Sequence, residues 1–264
     1  MAAGAIGLVR TAFLRMADLL VPRVCASCGM SVPVDTPDLC ESCGWAMSEL
    51  VSHPYCELCG EGRGPHLLRE GICTACHEGN SEIRFSHFVR VGPFAEPLRQ
   101  LILRFKREFV MDHLLGGLMA GAIQGRMDPR EIDAWVPIPS HWRRRIRRGF
   151  QPTRLLADAA ITQHGGHVET ILETAKYIPP MHHGMTSVQR ASAIRGAFRL
   201  SRNARVRGKR IMLIDDVTTT GATLREARRT LREGGAKWIG AAVLAKWEEL
   251  PPVIEGVDPS MRGQ

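Results

Sequence analysis

A run of residues late in the chain has the chemistry to bind a sugar phosphate. Ile211 to Ile214 are apolar, Asp215 and Asp216 follow them, and a Thr- and Gly-rich turn leads into a patterned helix. Carboxylates accept hydrogen bonds from the vicinal hydroxyls of a ribose, and N–H groups at a helix N-terminus bind phosphate. The run therefore predicts a strand, a loop and a helix that together bind the hydroxyls and the phosphate of a ribose 5-phosphate.

The turn after the acidic pair supplies the candidate phosphate donors. Gly221 lets a phosphate approach the backbone closely, and the hydroxyls of Thr219, Thr220 and Thr223 add donors. The alternative is an ordinary strand-turn-helix connection with a capping Thr and solvated Asp residues. No Lys follows Gly221, which disfavours a nucleotide-binding P-loop.

All eight cysteines lie in four Cys-x-x-Cys pairs near the N-terminus. The pairs are Cys25/Cys28, Cys40/Cys43, Cys56/Cys59 and Cys73/Cys76, with gaps of eleven, twelve and thirteen residues between them. In a reducing cytosol this spacing favours zinc over disulfides. The simplest assignment gives one structural zinc to the first two pairs and a second to the last two. An interleaved arrangement stays open, while the lack of a thioredoxin-like pattern disfavours redox dithiols.

Other residues near these pairs add local expectations. Gly29, Gly44 and Gly60 each follow the second cysteine of a pair, where a knuckle turn benefits from positive φ. Three histidines nearby are surplus ligands if every cysteine binds metal, namely His53, His66 and His77.

Length and charge limit the classes of protein to consider. The 264 residues suffice for one α/β domain and a smaller module, and a net charge of +8 favours an anionic substrate or partner. Residues 1–22 predict an amphipathic helix, and no apolar run in the sequence is long enough to span a bilayer. We therefore expect a cytoplasmic protein with no membrane span.

A basic run follows a strand predicted over 133–139. Five arginines occupy the six positions from Arg143 to Arg148. Such a run is ordinarily a solvated surface. Its place at the end of a strand, where α/β sheets bind ligands, equally supports contacts with pyrophosphate or nucleic acid.

The remaining pattern predicts a second domain from about Ser81. A helix that carries Leu98, Leu101, Ile102 and Phe105 is expected after Pro93-Phe94. Further helices are expected over 111–124 and 152–164, with strands over 86–91, 170–175 and 237–245. Two prolines and two histidines predict a mobile loop over 177–195. Lys106 and Arg107 are interpreted as C-terminal helix charges rather than ligands.

Four segments together resemble the competence protein F (ComF) family: the cysteine module, Val136 to Pro139 with Arg147 to Phe150, Arg190 with Gly196 to Phe198, and Ile211 to Leu224. The last segment resembles the phosphoribosyl pyrophosphate (PRPP) motif of type I phosphoribosyltransferases. The resemblance implies an α/β fold with a mainly parallel sheet flanked by helices, preceded by a small zinc-ribbon module with four-cysteine sites. We predict a helix over 1–22, a double zinc ribbon over 23–80, a transferase-like domain over 84–250 and a flexible tail over 251–264.

The resemblance also implies residue roles. In such transferases a nucleophile displaces pyrophosphate from the anomeric carbon of PRPP, and Mg²⁺ accompanies the substrate. Asp215 and Asp216 would be the catalytic pair that binds the ribose hydroxyls and steadies Mg²⁺ through water. The 5-phosphate contacts would be Thr218, Thr219, Thr220, Gly221, Ala222 and Thr223. The pyrophosphate side would include Pro139, Ser140, His141, Arg147 and Arg148.

The chain departs from the family pattern at three places. Gln151-Pro152 stands where Asn-Gln is usual, His182 aligns with a Gln, and Ala193 replaces a common Asn. These departures affect residues that would read the acceptor or stabilise the loop.

Two functions follow from the resemblance. The first is a Mg²⁺-dependent phosphoribosyltransferase with an unknown acceptor, associated with DNA uptake in natural competence. The second is a non-catalytic adaptor that binds single-stranded DNA and a helicase-like or recombination-mediator competence protein, with PRPP as a regulatory ligand.

Overall fold

The computed structural model describes residues 23–33, 38–108, 111–140, 146, 148–176 and 187–248. The expectations for the N-terminal helix, for the tail, and for His141, Arg147 and His182 lie outside these residues. Within the described part, no helix has the length and apolar character needed to cross a membrane.

The N-terminal module is built from short elements around the cysteines. Its regular elements are α1 (Glu41–Val51), β1 (Leu68–Arg69), β2 (Ile72–Cys73) and α2 (Thr74–His77), with a 3₁₀ turn at Pro65–Leu67. Strands β1 and β2 form an antiparallel hairpin. Gly29 and Gly60 have φ angles of 76° and 72°, as expected of knuckle turns. The same expectation is wrong for Gly44, which lies inside α1.

The second part of the chain alternates strands and helices. Its elements are β3 (Phe88–Pro93), α3 (Leu98–Glu108), α4 (Asp112–Gln124), β4 (Ala134–Pro137), α5 (Pro152–His164), β5 (Leu172–Thr174), α6 (Ser187–Ile194), β6 (Phe198–Leu200), β7 (Arg210–Thr218), α7 (Ala222–Glu233) and β8 (Trp238–Lys246). A 3₁₀ turn at Pro129–Glu131 precedes β4.

The main sheet has the strand order β3-β8-β7-β4, and every neighbouring pair is parallel. Strand β7 is central, and its residues Ile211 to Ile214 are fully buried. A parallel sheet needs helical crossovers that cover both of its faces, so an unbroken apolar run is the expected sequence of a central strand. The predicted α/β class with a mainly parallel sheet is confirmed.

Helices pack on both faces of this sheet. Leu101 of α3, Leu115 of α4 and Leu156 of α5 belong to the core on one face. Leu224 and Leu231 of α7 belong to the core on the other. The spacing of the α7 residues places them on one side of the helix, which explains why that helix lies flat on the sheet.

Helix α4 forms despite its glycines because one of them permits a close helix contact. A Cβ on Gly116 would lie 2.3 Å from the Cβ of Ala159 in α5, so only glycine allows the two helices to approach this closely. The glycine-rich sequence therefore weakens the helix locally but makes its packing against α5 possible.

The structure confirms one expectation in the middle of the chain and corrects another. The strand predicted over 170–175 is present as β5, which pairs with β6 in a separate two-stranded antiparallel sheet. The loop predicted over 177–195 is wrong over Ser187–Ile194, which form α6. Ile194 is buried in the same core as Leu224 of α7. This tertiary packing stabilises a short helix whose sequence period alone is weak.

Candidate functional site

The eight thiols form two separate clusters. Cys25, Cys28, Cys40 and Cys43 make one, and Cys56, Cys59, Cys73 and Cys76 make the other, with the sulfur atoms of each cluster within 4.8 Å of one another. The Sγ atoms of Cys28 and Cys40 are 3.7 Å apart, and those of Cys59 and Cys73 are 3.8 Å apart. A tetrahedral zinc with Zn–S bonds of about 2.3 Å requires sulfur separations of about 3.8 Å. Both clusters therefore fit a structural zinc ion.

Each cluster combines a knuckle turn with the start of a helix. Cys40 immediately precedes α1, and Cys73 immediately precedes α2. The backbone N–H groups of these two residues donate to the sulfur atoms of Cys25 and Cys56, both at 3.3 Å. Backbone donors of this kind stabilise thiolates, which are the metal-binding form of cysteine.

Two of the nearby histidines make other contacts. His53 Nδ1 lies 3.2 Å from Nη2 of Arg90, and His77 Nε2 lies 3.1 Å from the carbonyl oxygen of Arg69. These contacts agree with the expectation that the cysteines alone supply the metal ligands.

The second cluster is attached directly to the main sheet. The N–H of Phe85 donates to the carbonyl of Leu58 at 2.8 Å, and the N–H of Phe88 in β3 donates to the carbonyl of Glu57 at 2.6 Å. Lys246 at the end of β8 also forms an ion pair with Glu61. The cluster thus contacts the start of β3 and the end of β8.

The predicted acidic pair lies at the carboxyl end of β7. The N–H of Asp216 donates to Oδ1 of Asp215 at 2.9 Å, and the N–H of Val217 donates to Oδ1 of Asp216 at 2.6 Å. Burial, and then the charge of Asp216, raise the pKa of Asp215 to about 8. Ionising both carboxyl groups in a partly dry site is costly, so the site favours a cation or hydroxyl donors beside them.

A cation from another element contacts this pair. Nζ of Lys106, in the last turn of α3, lies 2.9 Å from Oδ2 of Asp216, and the two side chains are 25% and 15% exposed. The interpretation of Lys106 as a simple helix-end charge missed this contact. Lys106 and Asp216 are far apart in the chain, and no local sequence signal joins them.

The acidic pair opens into a cavity of about 220 Å³. Of the predicted site residues, the structure brings together Pro139, Ser140, Arg148, Asp215, Asp216 and Thr223 around it. Lys106 lines the same cavity. The end of β4 and the end of β7 contribute to it because parallel strands place their carboxyl ends at one edge of a sheet.

The remaining residues of the loop form the turn into α7. Thr218 is 5% exposed, and its carbonyl accepts a hydrogen bond from the N–H of Trp247 at 2.8 Å. Thr219 is exposed, Thr220 is half-buried, and Ala222 begins the helix. The first N–H groups of this twelve-residue helix have no partner in the preceding turn of helix and carry partial positive charge.

Gly221 has the conformation that its place in the turn requires. Its φ angle is 67°, and a Cβ on it would lie 2.5 Å from Cδ1 of Ile83. Ile83 also packs against the second cysteine cluster. The turn that precedes α7 is therefore in contact with the segment that leaves the zinc module.

A more open groove adjoins the cavity. It is lined by Arg99, Gln100, Leu103, Lys106, Arg107 and Arg148. Lys106 and Arg148 line both the groove and the cavity. A cationic surface thus continues from the acidic pair along α3.

Two family models match the chain in the order that its sequence predicts. A double zinc ribbon domain matches residues 16–79, and a phosphoribosyl transferase domain matches residues 147–258. The double zinc ribbon and the two four-cysteine clusters together support structural zinc.

Curated proteins of similar sequence cover most of the chain. Competence protein F of Haemophilus influenzae is 28% identical over 230 residues, which are 84% of this chain and 96% of that protein. DNA utilization protein YhgH of Salmonella typhi is 28% identical over 226 residues, 83% of this chain and 94% of that protein. Competence protein ComFC of Bacillus subtilis is 27% identical over 213 residues, 75% of this chain and 79% of that protein.

Proposed function

Since this chain belongs to the competence protein F family and joins a double zinc ribbon to a phosphoribosyl transferase domain, we propose that it binds PRPP with Mg²⁺ at the loop between β7 and α7. The observation that carries the proposal is the acidic pair of Asp215 and Asp216 in a cavity beside the N-terminus of α7. We further propose that this binding serves DNA uptake, as the names of the relatives suggest.

The two ends of the site suit the two ends of a ribose 5-phosphate. The carboxylates of Asp215 and Asp216 accept hydrogen bonds from the ribose hydroxyls. The N–H groups from Gly221 to Thr223 and the threonine hydroxyls hold the 5-phosphate, because they combine a positive φ turn with a helix N-terminus.

The pyrophosphate side is formed by Ser140 and Arg148. Both line the cavity on the β4 side, and a guanidinium pairs with phosphate oxygens in a bidentate manner. Mg²⁺ bound with PRPP would neutralise part of the charge on the diphosphate. The reaction class that this arrangement favours is pentosyl transfer, in which an acceptor nucleophile bonds to the anomeric carbon as the carbon–oxygen bond to pyrophosphate breaks.

Calorimetric titration with PRPP and Mg²⁺ tests this proposal. Zinc-loaded wild type should bind, and Asp215→Asn with Asp216→Asn should lose binding. Asp128→Asn is the matched control, because Asp128 is an exposed carboxylate that precedes β4 at the opposite edge of the sheet. Absence of binding by wild type would overturn the proposal. If wild type binds PRPP, release of pyrophosphate in the presence of candidate acceptors would identify the transfer reaction.

The cationic groove supports a second candidate function, binding of single-stranded DNA. Arg99, Lys106, Arg107 and Arg148 are spaced along one surface and would neutralise successive phosphates. The affinity for a labelled oligothymidine, measured by fluorescence anisotropy, should fall steeply as salt rises, with a slope of about −0.7 per phosphate contact.

Arginine substitutions separate this candidate from non-specific charge attraction. Arg107→Ala with Arg148→Ala should weaken binding and flatten the salt dependence. Arg202→Ala with Arg205→Ala removes the same charge from exposed positions that precede β7, at the opposite edge of the sheet, and should change less. Equal effects of the two double variants would contradict a specific groove.

A further inference from the structure

Lys106 faces two different environments from one position. Its ammonium lies 2.9 Å from Oδ2 of Asp216 on one side. On the other side it lines the groove that also contains Arg99, Arg107 and Arg148. A single side chain thus connects the carboxylate that is proposed to receive a metal-bound sugar phosphate with the surface that attracts anions.

The ion pair balances charge in the site without a ligand. Asp215 and Asp216 are adjacent carboxyl groups that are both shielded from water, so a second negative charge beside the first is costly in a medium of reduced dielectric constant. The ammonium of Lys106 stabilises the charge on Asp216 and offsets part of this cost. In this respect Lys106 occupies the electrostatic role that a divalent cation would take.

The place of Lys106 in the last turn of α3 makes its movement possible. The negative end of the helix dipole stabilises a cation there in more than one orientation. A lysine has four flexible methylene groups, so its ammonium can leave Asp216 without movement of the helix backbone. Its stem remains packed while the charged end changes partner.

We propose that Lys106 is an internal counter-ion that competes with the divalent cation for Asp216 and moves to the diphosphate oxygens when PRPP binds. This inference rests on the proposed function. It adds that the site prefers a divalent cation that arrives with PRPP to a divalent cation alone. A divalent cation alone must displace the ammonium and leave it in the site without an anionic partner. A cation that arrives with PRPP provides the displaced ammonium with a new partner.

The exchange couples metal binding to sugar phosphate binding. By linkage, each ligand raises the affinity for the other by the same factor. Removal of the ammonium should reduce this factor, because Asp216 is then available to the metal whether or not PRPP is present. The role of Lys106 is therefore visible in the coupling and not only in total affinity.

The experiment measures Mn²⁺ binding to the zinc-loaded full chain by the electron paramagnetic resonance signal of unbound Mn²⁺. Titrations are made without PRPP and with saturating PRPP, for wild type and for Lys106→Met. We expect Lys106→Met to bind Mn²⁺ alone about tenfold more tightly and to lose about tenfold of the enhancement by PRPP. Lys106→Gln is a second variant without the charge, so that the result does not depend on the folding of one protein.

A matched control separates the contact from the general loss of a charge. Lys209 forms an ion pair with Glu169, with 2.6 Å between Nζ and Oε1 and both side chains 27% exposed, and it precedes β7 at the opposite edge of the sheet. Lys209→Met should therefore leave the coupling factor unchanged. An equal change in Lys209→Met and Lys106→Met would overturn the inference.

The outcomes distinguish this inference from the proposed function. If wild type binds PRPP with Mn²⁺ and both Lys106 variants keep the wild-type coupling factor, the inference fails and the proposed function stands. If wild type does not bind PRPP at all, both fail. Tighter binding of Mn²⁺ alone together with a smaller coupling factor supports both.

Discussion

Arg90 donates to both carboxylate oxygens of Glu248, with distances of 2.7 Å from Nη1 to Oε2 and 3.0 Å from Nη2 to Oε1. The Arg90 side chain is fully buried, and that of Glu248 is 6% exposed. Oε2 of Glu248 also accepts from the N–H of Gly62 at 2.8 Å. One ion pair therefore joins the edge strand β3, the segment after β8 and the zinc module.

Arg90→Met should destabilise the protein strongly. The substitution leaves the carboxylate of Glu248 buried without its cation, and breaking a buried pair in this way costs about 3–5 kcal/mol. Urea unfolding of the zinc-loaded protein measures the change. Arg90→Met with Glu248→Gln should recover much of the loss because no uncompensated charge remains.

The exposed pair of Arg199 and Glu173 is the control for this prediction. Their side chains are 66% and 46% exposed, so Arg199→Met should change the free energy of unfolding by less than about 1 kcal/mol. Comparable losses for Arg199→Met and Arg90→Met would contradict the role assigned to burial.

Gly221→Ala should weaken PRPP binding by about tenfold or more, equivalent to at least about 1.4 kcal/mol. Its methyl group would meet Ile83 in addition to the strain of a positive φ, so the turn must shift away from the phosphate position. Calorimetric titration with PRPP and Mg²⁺ measures the effect.

Gly208→Ala separates backbone strain from this contact. Gly208 also has a positive φ, of 78°, but a Cβ there would meet nothing within 4 Å. The substitution should cost about 1 kcal/mol of stability and leave PRPP binding intact. Ile83→Ala should partly restore binding to Gly221→Ala, and a failure to do so would mean that strain alone causes the loss.

Metal analysis should find about two zinc ions per chain, because each closed four-thiolate site holds one ion. Cys28→Ser and Cys76→Ser should each lower the ratio to about one. Only Cys76→Ser should also weaken PRPP binding, since Ile83 packs against both the second cluster and Gly221. Equal effects of the two variants on PRPP affinity would count against this connection.

The half-buried His87 should make stability depend on pH. Burial lowers the pKa of His87, with a smaller opposing effect of Glu57 and a further lowering by Arg126. The unfolded chain therefore takes up a proton first as pH falls, so this contribution is complete above about pH 6.5 and is lost as pH falls from there through the lower pKa of the folded protein. His87→Gln should show a smaller loss of unfolding free energy between about pH 7.5 and pH 5.5. An unchanged slope would show that other groups control the dependence.

Local signals were sufficient for much of the fold and for the chemistry of the site. The apolar run before Asp215, the turn at Gly221 and the spacing of Leu224 and Leu231 predict a buried strand, a turn and an amphipathic helix, all of which the structure contains. The four Cys-x-x-Cys pairs likewise predict zinc knuckles. These features depend on neighbouring residues, so their physical cause is contained in a short stretch of sequence.

Pairings between distant segments required the tertiary structure. The contact of Lys106 with Asp216 joins α3 to β7, and the contact of Ile83 with Gly221 joins the zinc module to α7. Helix α6 was missed because its stability depends on packing against α7 rather than on its own weak period. A sequence period shows which face of an element is buried but not which element covers it. That choice is made by the packing of the whole chain, because the energy of each contact depends on residues brought together from far apart in the sequence.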